Sequence, residues 1–250
     1  MKCEHCHKDN RAIAKFCRWC GKPMKTQDVL SKIVGLDDVK SQLQTIVDTY
    51  TFLQSRQDVA RVRLSVNAII IGETGTGKTM LAEIIRDYFY QHHIISKPKL
   101  TMVDAVDYKR FVDKWDDNVK KAKDGILFFD NVQKLLPDRY SNQVNPLDKL
   151  FVEMDHWDDG PIVVISGLTR GLEDFITNNP AVSNRFKYKF YLPTPNYQDL
   201  TKICRGILRT KYGLDSFCLE AEHKLARYFK YQLKKKDESF GYAHEATKVA

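Results

Sequence analysis

The stretch Gly72-Glu73-Thr74-Gly75-Thr76-Gly77-Lys78-Thr79 decides the fold of this chain. It follows the apolar run at residues 68–71 and precedes apolar residues spaced to fit one face of a helix, so we expect strand, turn and helix in that order. The spacing matches the P-loop pattern G-x-x-x-x-G-K-[ST]. Glycines permit a tight turn whose N–H groups face inward, and the helix adds its own unpaired N–H groups. The pattern therefore predicts a cradle for a phosphate chain.

Each position of this loop is a candidate nucleotide contact, and so is the residue that follows it. Lys78 is expected to reach the β- and γ-phosphates of ATP, and the Thr79 hydroxyl is expected to bind Mg²⁺. A turn that only joins a strand to a helix would not require a Lys-Thr pair after its last glycine, so nucleotide binding is the preferred interpretation. The predicted contacts are Gly72, Glu73, Thr74, Gly75, Thr76, Gly77, Lys78, Thr79 and Met80.

The composition is that of a globular chain. It has 250 residues, 43% of them hydrophobic, which allows one α/β core with smaller additions. No apolar stretch approaches the roughly 18 residues of a membrane helix, and the N-terminus lacks the apolar region of a signal peptide. We therefore expect a cytoplasmic protein without a membrane partner. The net charge of +8 is compatible with nucleic acid or another acidic partner, but a solvated basic surface is its commoner origin.

Four of the six cysteines lie in the first 20 residues, as Cys3-x-x-Cys6 and Cys17-x-x-Cys20. Each pair aims two sulfurs at one point, and two pairs complete a tetrahedral Zn²⁺ shell. The segment is too short to bury a core of its own, so metal binding would have to supply its folding free energy. Two disulfides are the alternative, but the N-terminal sequence favours a reducing compartment.

Residues 1–22 are accordingly predicted to form a zinc ribbon. His5 and His7 could replace a sulfur ligand, but with four cysteines available they are expected to be bystanders. The pattern F-C-x-x-C-G-K at residues 16–22 resembles the short zinc ribbons at the N-termini of many bacterial proteins. We expect this module to dock on a partner or to position an oligomer. Nucleic-acid binding with Trp19 stacked on a base is the alternative, although a lone aromatic residue in so small a module more often covers the metal site.

Residues 22–27 are polar, contain a proline and have no periodicity, so the segment 23–30 is predicted to be a linker. The pattern I-V-G-L-x-x-V-K at residues 33–40, ahead of a helix and followed by the P-loop, resembles AAA+ ATPases, and more narrowly the CbxX-type (Rubisco-activase-like) subgroup. The resemblance implies an α/β core at 31–194, with a parallel sheet and helices on both faces, and a small helical lid at 195–250. It also implies that Ile33, Val34 and Gly35 line the adenine pocket.

Residues 100–103 read as the strand that follows the P-loop helix, and residues 125–130 read as a buried strand that ends in Asp130, which is the Walker B pattern. Asp130 would hold Mg²⁺ through water at the carboxyl end of its strand. The family has Glu at the next position as the general base, but this chain has Asn131. An amide cannot take the proton from water, and loss of a general base typically lowers the rate by about 10²–10⁴. Asn131 could still orient water, and Glu73 is a weak alternative base.

The resemblance assigns further roles downstream. Residues 161–166 are predicted to form a strand, with Thr169 or Ser166 as the sensor of the γ-phosphate. Residues 179–186 resemble the family's N-P-x-x-x-x-R-F segment, which would make Arg185 the arginine finger of a neighbouring subunit. That role implies a ring or helical homo-oligomer. The alternative for Arg185 is a surface arginine paired with an acid.

Three features depart from the family pattern. Phe111-Val112-Asp113 stands where relatives have a pore loop with glycine, so threading of a substrate is not expected. His244 stands where the second sensor is an arginine, and it would make fewer contacts with phosphate. The chain ends at Ala250 within a predicted helix, so the lid is expected to be truncated.

The prediction from sequence is therefore an AAA+ protein that binds ATP and Mg²⁺ between subunits and assembles or remodels a complex with an unidentified protein partner. Hydrolysis is expected to be slow because of Asn131. The alternatives are an active ATPase remodeller and a nucleic-acid-dependent translocase that docks through the zinc ribbon.

Overall fold

The fold is described from a computed structural model that covers residues 3, 5–9, 17–22, 29–55, 65–136, 147–157, 160–214, 218–236 and 240–250. Within this part of the chain, the strands are β1 (Ala68–Gly72), β2 (Leu100–Asp104), β3 (Ile126–Asp130), β4 (Ile162–Gly167) and β5 (Tyr188–Leu192). The helices are α1 (Asp37–Ser55), α2 (Lys78–Gln91), α3 (Tyr108–Asp113), α4 (Trp115–Ala122), α5 (Asp148–His156), α6 (Thr169–Asn178), α7 (Pro180–Arg185), α8 (Tyr197–Tyr212), α9 (Leu219–Lys235) and α10 (Tyr242–Val249). Short 3-10 helices occupy Val29–Lys32, Ala105–Asp107 and Val132–Leu135.

The strands form one parallel sheet in the order β2-β3-β4-β1-β5. Parallel strands need a long crossover between them, and the helices that connect them cover the sheet. The order leaves β1, which carries the P-loop, between β4 and β5. The carboxyl ends of β1, β4 and β3 therefore lie side by side at one edge of the sheet.

Alternate residues of the central strands belong to two different cores, as the pleat of a strand requires. Ile70 of β1 packs with the buried residues of α1 and α2 on one face. Ile69 and Ile71 pack on the other face with residues of the helices from α3 to α7. The predicted α/β fold, with a parallel sheet and helices on both faces, is confirmed.

The strands predicted at 68–71, 100–103, 125–130 and 161–166 are confirmed as β1 to β4, whereas β5 was not predicted. Phe190 and Leu192 of β5 are buried and Tyr191 between them is half exposed, so this edge strand has the alternation of a one-sided strand. Phe111 of α3 is 6% exposed, with its ring edge-on to Trp115 and Phe129. Phe111 is therefore a core residue of the α/β domain.

The predicted linker at 23–30 is too long at its C-terminal end. Val29 and Leu30 form the start of a 3-10 helix and are buried in the same core as α1 and α2. Their apolar side chains fill space beside α2, so the α/β core begins at or before Val29. Residues 23–28 lie outside the described residues.

A small helical unit follows β5, as the predicted lid requires. Its first helix, α8, begins with a capping box in which Asn196 and Asp199 satisfy each other's backbone N–H groups. Helices α8, α9 and α10 share their own core, which includes Leu200, Cys204 and Phe229. In the described part of the chain, no helix combines the length and the apolar character needed to span a bilayer.

The lid contacts the P-loop directly. The Ala243 N–H at the start of α10 donates to the Gly75 carbonyl at 2.8 Å. Gly75 has φ +75°, and a Cβ built on it would lie 2.6 Å from the carbonyl carbon of Gly241. Only glycine combines this backbone conformation with so close an approach of the lid. The contact makes the position of the lid sensitive to the conformation of the loop.

We therefore predict that Gly75→Ala lowers the free energy of unfolding by roughly 2–4 kcal/mol, since the left-handed conformation and the overlap with Gly241 both carry a cost. Gly206→Ala is the matched control, because Gly206 lies inside α8 and an added Cβ there meets nothing within 4 Å. It should leave stability unchanged or raise it by about 0.5–1 kcal/mol. Urea denaturation followed by circular dichroism measures both, and equal effects of the two substitutions would contradict the lid contact.

Candidate nucleotide-binding and metal sites

The P-loop connects the buried end of β1 to the first turn of α2. Gly77 has φ 96° and stands immediately before Lys78, where α2 begins. The turn thus brings the unpaired N–H groups of the first turn of α2 toward the loop, as phosphate binding at a helix N-terminus requires. Met80, the last predicted contact, is 47% exposed beside Gly77.

The Lys78 side chain reaches back across the P-loop. Its side chain is buried, and Nζ donates to the carbonyls of Gly72 at 2.9 Å and Glu73 at 3.0 Å. Burial lowers the pKa of Lys78, and the charges of Asp130 and Glu73 oppose that shift. The Glu73 carbonyl also accepts from the Thr76 hydroxyl at 2.9 Å, while the Glu73 residue is exposed. A phosphate chain in the loop would offer Nζ stronger acceptors than these two carbonyls.

Asp130 links the carboxyl ends of β3 and β4 to the first turn of α2. Its Oδ2 accepts from the Thr79 hydroxyl of α2 at 3.2 Å. Its Oδ1 accepts from the Ser166 hydroxyl of β4 and from the Asn131 N–H at 2.9 Å. A hydroxyl and a carboxylate that already touch each other are hard oxygen ligands of the kind Mg²⁺ prefers, with water and phosphate completing its shell. The residues present therefore fit a magnesium ion.

Asn131 is in the left-handed conformation, with φ 58°, and its side chain turns toward β2. Its Nδ2 donates to Oδ2 of Asp104, the last residue of β2, at 2.9 Å. Oδ1 of Asp104 accepts from the Val106 N–H at 2.9 Å. These hydrogen bonds, the one from Val106 first, lower the pKa of Asp104 despite its partial burial.

Sequence reasoning missed Asp104. The available indication was that the strand at 100–103 also ends in an acid, as the Walker B strand does. What the sequence could not show is the parallel register, in which Asp104 stands directly beside Asp130.

The proposed adenine-pocket residues lie between the 3-10 helix at Val29–Lys32 and α1. Ile33 is buried in the core that includes α2, Val34 is half-buried and Gly35 is exposed with φ 67°. The 3-10 helix packs against α2, which places this segment on the same side of the sheet as the P-loop helix.

The residues predicted to sense the γ-phosphate are Ser166, Thr169 and His244. Ser166 touches Asp130, whereas Thr169 lies three residues further on, at the first position of α6 and just before its kink at Arg170. His244 is exposed in the first turn of α10, next to the residue that bonds Gly75. The structure therefore favours Ser166 over Thr169 as the residue in contact with the Walker B acid.

Arg185, the last residue of α7, pairs with an acid of its own chain. Its Nε donates to Oδ1 of Asp155 on α5 at 3.0 Å, and a second guanidinium nitrogen reaches Oδ2. The guanidinium carbon also lies 5.8 Å from the ring centre of Phe151. The side chain is 21% exposed and the Asp155 side chain 52% exposed. Asp155 is thus the acid partner expected if Arg185 is a surface arginine, and its side chain is open to solvent.

The four N-terminal cysteines converge on one point. All four Sγ atoms lie within 4.8 Å of one another, with Cys3 and Cys20 at 3.6 Å and Cys6 and Cys17 at 3.5 Å. Tetrahedral Zn²⁺ with sulfurs about 2.3 Å away would separate them by roughly 3.8 Å. The cysteines are not joined by disulfides, so the cluster fits a metal better than the disulfide alternative.

The two halves of this cluster have the same backbone geometry. The N–H groups of His5 and Trp19 each donate to the sulfur two residues earlier at 3.4 Å. The Trp19 residue is 54% exposed, its Nε1 donates to the Asp9 carbonyl at 3.2 Å, and Lys8 Nζ and Arg18 Cζ each lie 4.8 Å from the centre of its ring. The structure therefore presents an aromatic ring with two cations against it at the surface of the module.

Comparisons with known proteins agree with this geometry. The model of the family "ATPase family associated with various cellular activities (AAA)" matches residues 68–194. Stage V sporulation protein K of Bacillus subtilis is 25% identical over 209 residues, which are 80% of this chain and 64% of that protein. The ESX-1 secretion system protein EccA1 of Mycobacterium leprae is 25% identical over 198 residues, which are 73% of this chain and 34% of that protein. The chain thus spans less than two thirds of either relative.

A solved structure shares the fold. Domain III of the Thermotoga maritima replication initiation protein DnaA aligns with a TM-score of 0.53 and 16% identity, over 88% of this chain and 95% of that one. The family match covers half of the chain and includes the P-loop, the strand that ends in Asp130 and Arg185. Sheet order, loop geometry and family match agree, and this chain belongs to the AAA family of ATPases.

Proposed function

We propose that this chain is an AAA+ protein of the CbxX type that binds ATP and Mg²⁺ between subunits and uses them to assemble or remodel a protein complex, with slow hydrolysis. The observation that carries the proposal is the hydrogen bond between Thr79 and Asp130, because it brings together the hydroxyl and the carboxylate that a magnesium nucleotide needs. The loop around Lys78 supplies the phosphate site beside them.

In this proposal the P-loop residues from Gly72 to Met80 surround the phosphates, and Lys78 exchanges its two carbonyl partners for phosphate oxygens. Thr79 and Asp130 hold Mg²⁺, while Ile33, Val34 and Gly35 receive the adenine. Thr169 at the start of α6, or Ser166 on β4, would sense the γ-phosphate, and His244 on the lid would be the second sensor.

Arg185 is proposed to act in trans. Its pairing with Asp155 involves an acid that is 52% exposed, so water can compete for the carboxylate. The guanidinium can exchange Asp155 for the γ-phosphate of a neighbouring subunit, since phosphate is an equally good bidentate acceptor. A site completed by the neighbour implies a ring or helical homo-oligomer.

The proposed domain organisation is a zinc ribbon at 1–22, a connecting segment, an α/β domain that ends near 194 and a lid at 195–250. Zn²⁺ bound by Cys3, Cys6, Cys17 and Cys20 would order the ribbon, which docks on an unidentified protein partner. The names of the relatives point to secretion and sporulation, where protein complexes are built, and support a role in assembly. We place this activity in the cytoplasm.

A nucleic-acid-dependent translocase is the second candidate. The observation in its favour is the exposed Trp19 ring flanked by Lys8 and Arg18, an arrangement suited to stacking on a base beside its phosphates. This candidate requires that single-stranded DNA or RNA stimulate ATP turnover and bind with a steep dependence on salt.

The assembly proposal predicts that a non-hydrolysable ATP analogue with Mg²⁺ converts the chain into a larger species. Arg185→Ala should abolish this conversion, because the neighbour's γ-phosphate loses its cation. Arg110→Ala is the control, since Arg110 is an exposed arginine in the last turn of α3. Native mass spectrometry measures the species, and a single species with and without nucleotide would contradict the proposal.

Slow hydrolysis is tested in the same preparation. Steady-state phosphate release should be about 10²–10⁴ below that of AAA+ enzymes with a glutamate base, since the residue after Asp130 is an amide. Turnover comparable to those enzymes would refute the slow-hydrolysis part of the proposal and leave nucleotide-dependent assembly standing.

The metal assignment predicts about one zinc ion per chain, measured by elemental analysis of the purified protein. Cys17→Ser should remove most of it, because a four-sulfur shell loses one of its two buried ligands. Cys218→Ser is the control: Cys218 is exposed and lies outside the cluster. Equal zinc content in the two variants would show that the cluster is not the metal site.

A further inference from the structure

A carboxylate lies next to the amide that replaces the usual catalytic base. Asp104 and Asp130 are neighbours in the register of β2 and β3, and Asn131 follows Asp130. The Asn131 side chain bridges the gap by donating from Nδ2 to Asp104 Oδ2 at 2.9 Å. The acid missing at position 131 is therefore present one hydrogen bond away, on the adjacent strand.

The hydrogen bond also determines how the amide is oriented. An ionised carboxylate can only accept, so the group that faces Asp104 must be the NH₂ of Asn131. The amide oxygen is then the atom left for another donor, such as water. It can hold a water molecule but cannot take its proton.

Asp104 keeps acceptor capacity beyond its two visible bonds. The Val106 N–H occupies one site on Oδ1 and the Asn131 amide one site on Oδ2. A carboxylate offers about four such sites, so one remains on each oxygen. The side chain is partly open to solvent, which allows water to reach it.

We propose that Asp104 is the general base for ATP hydrolysis in this chain, with Asn131 orienting the attacking water. The inference rests on the proposed function, since it concerns the reaction of that same site. The water oxygen forms a bond to the γ-phosphorus as one of its protons passes to Asp104 Oδ2. The bond from the γ-phosphorus to the β–γ bridging oxygen breaks, ADP leaves with the electron pair, and Asp104 returns the proton to solvent.

The hydrogen bonds around Asp104 bear on the expected rate of this route. Its two oxygens already accept from the Val106 N–H and from the Asn131 amide. Hydrogen bonds to a carboxylate favour its ionised form, so a carboxylate held in this way accepts a proton less readily. Slow turnover is therefore expected even with a base at Asp104.

The test compares phosphate release by the full chain, Asp104→Asn and Asp107→Asn, with affinity for a fluorescent ATP analogue measured in parallel. Asp104→Asn keeps an oxygen for the Val106 N–H and removes the base, so turnover should fall at least about 100-fold with affinity within about threefold. Asp107 is an exposed acid in the same short turn, and its substitution should change neither quantity. Unchanged turnover in Asp104→Asn would overturn the inference.

A double variant separates chemistry from folding. Asp104→Asn combined with Asn131→Glu exchanges the acid and the amide between the two strands, and turnover should return at least to that of the unmodified chain. A double variant as inactive as Asp104→Asn would show that the loss was structural and would overturn the inference. A chain that binds the analogue but releases no phosphate also overturns it, whereas a chain that does not bind the analogue refutes the proposed function itself.

Discussion

The site depends on the hydrogen bonds that converge on Asp130. This carboxylate accepts from Thr79 on α2, from Ser166 on β4 and from the backbone of Asn131, and so ties the P-loop helix to two strands. The arrangement is possible because the strand order places the carboxyl ends of β1, β4 and β3 side by side. In open parallel sheets this edge is where ligands bind. The strand order that defines the fold therefore also brings together the residues of the site.

The parts of the site within a few residues of each other were predictable from sequence. The P-loop, the strand that ends in Asp130 and the four-cysteine pattern each carry their geometry in local spacing. The pairs that join distant segments were not. Asp104 meets Asn131 only because β2 and β3 pair in one register, and Arg185 meets Asp155 only because α7 packs near α5. Residue spacing holds no information about such contacts.

The edge strand β5 was likewise not predictable from the local sequence. Its buried Phe190 and Leu192 alternate with the exposed Tyr191, but the strand is short and borders the proline after Leu192, which reads as a break. The burial of Val29 and Leu30 was missed for a related reason: the segment before them is polar, and only the space beside α2 places these two apolar residues in the core. In both cases tertiary packing overrides local composition.

In the proposed mechanism, nucleotide binding and hydrolysis use different residues. The proposed phosphate and magnesium ligands and the lid contact at Gly75 lie in the P-loop and at Asp130, whereas the acid and the amide proposed for hydrolysis, Asp104 and Asn131, lie at the carboxyl ends of β2 and β3. A protein that needs nucleotide mainly to fix its assembled state could retain the first set and weaken the second. The pairing of Arg185 is compatible with such a protein, because Arg185 can exchange the solvent-exposed Asp155 for a phosphate of a neighbouring subunit.

We expect the loop and Asp130 together to form one magnesium-dependent nucleotide site per chain. Calorimetric titration of the full chain with a non-hydrolysable ATP analogue, with and without Mg²⁺, measures this. One nucleotide should bind per chain, with affinity that falls at least about tenfold when the metal is removed, because Thr79 and Asp130 then lose their shared ligand. Absence of binding, or equal affinity with and without Mg²⁺, would contradict this expectation.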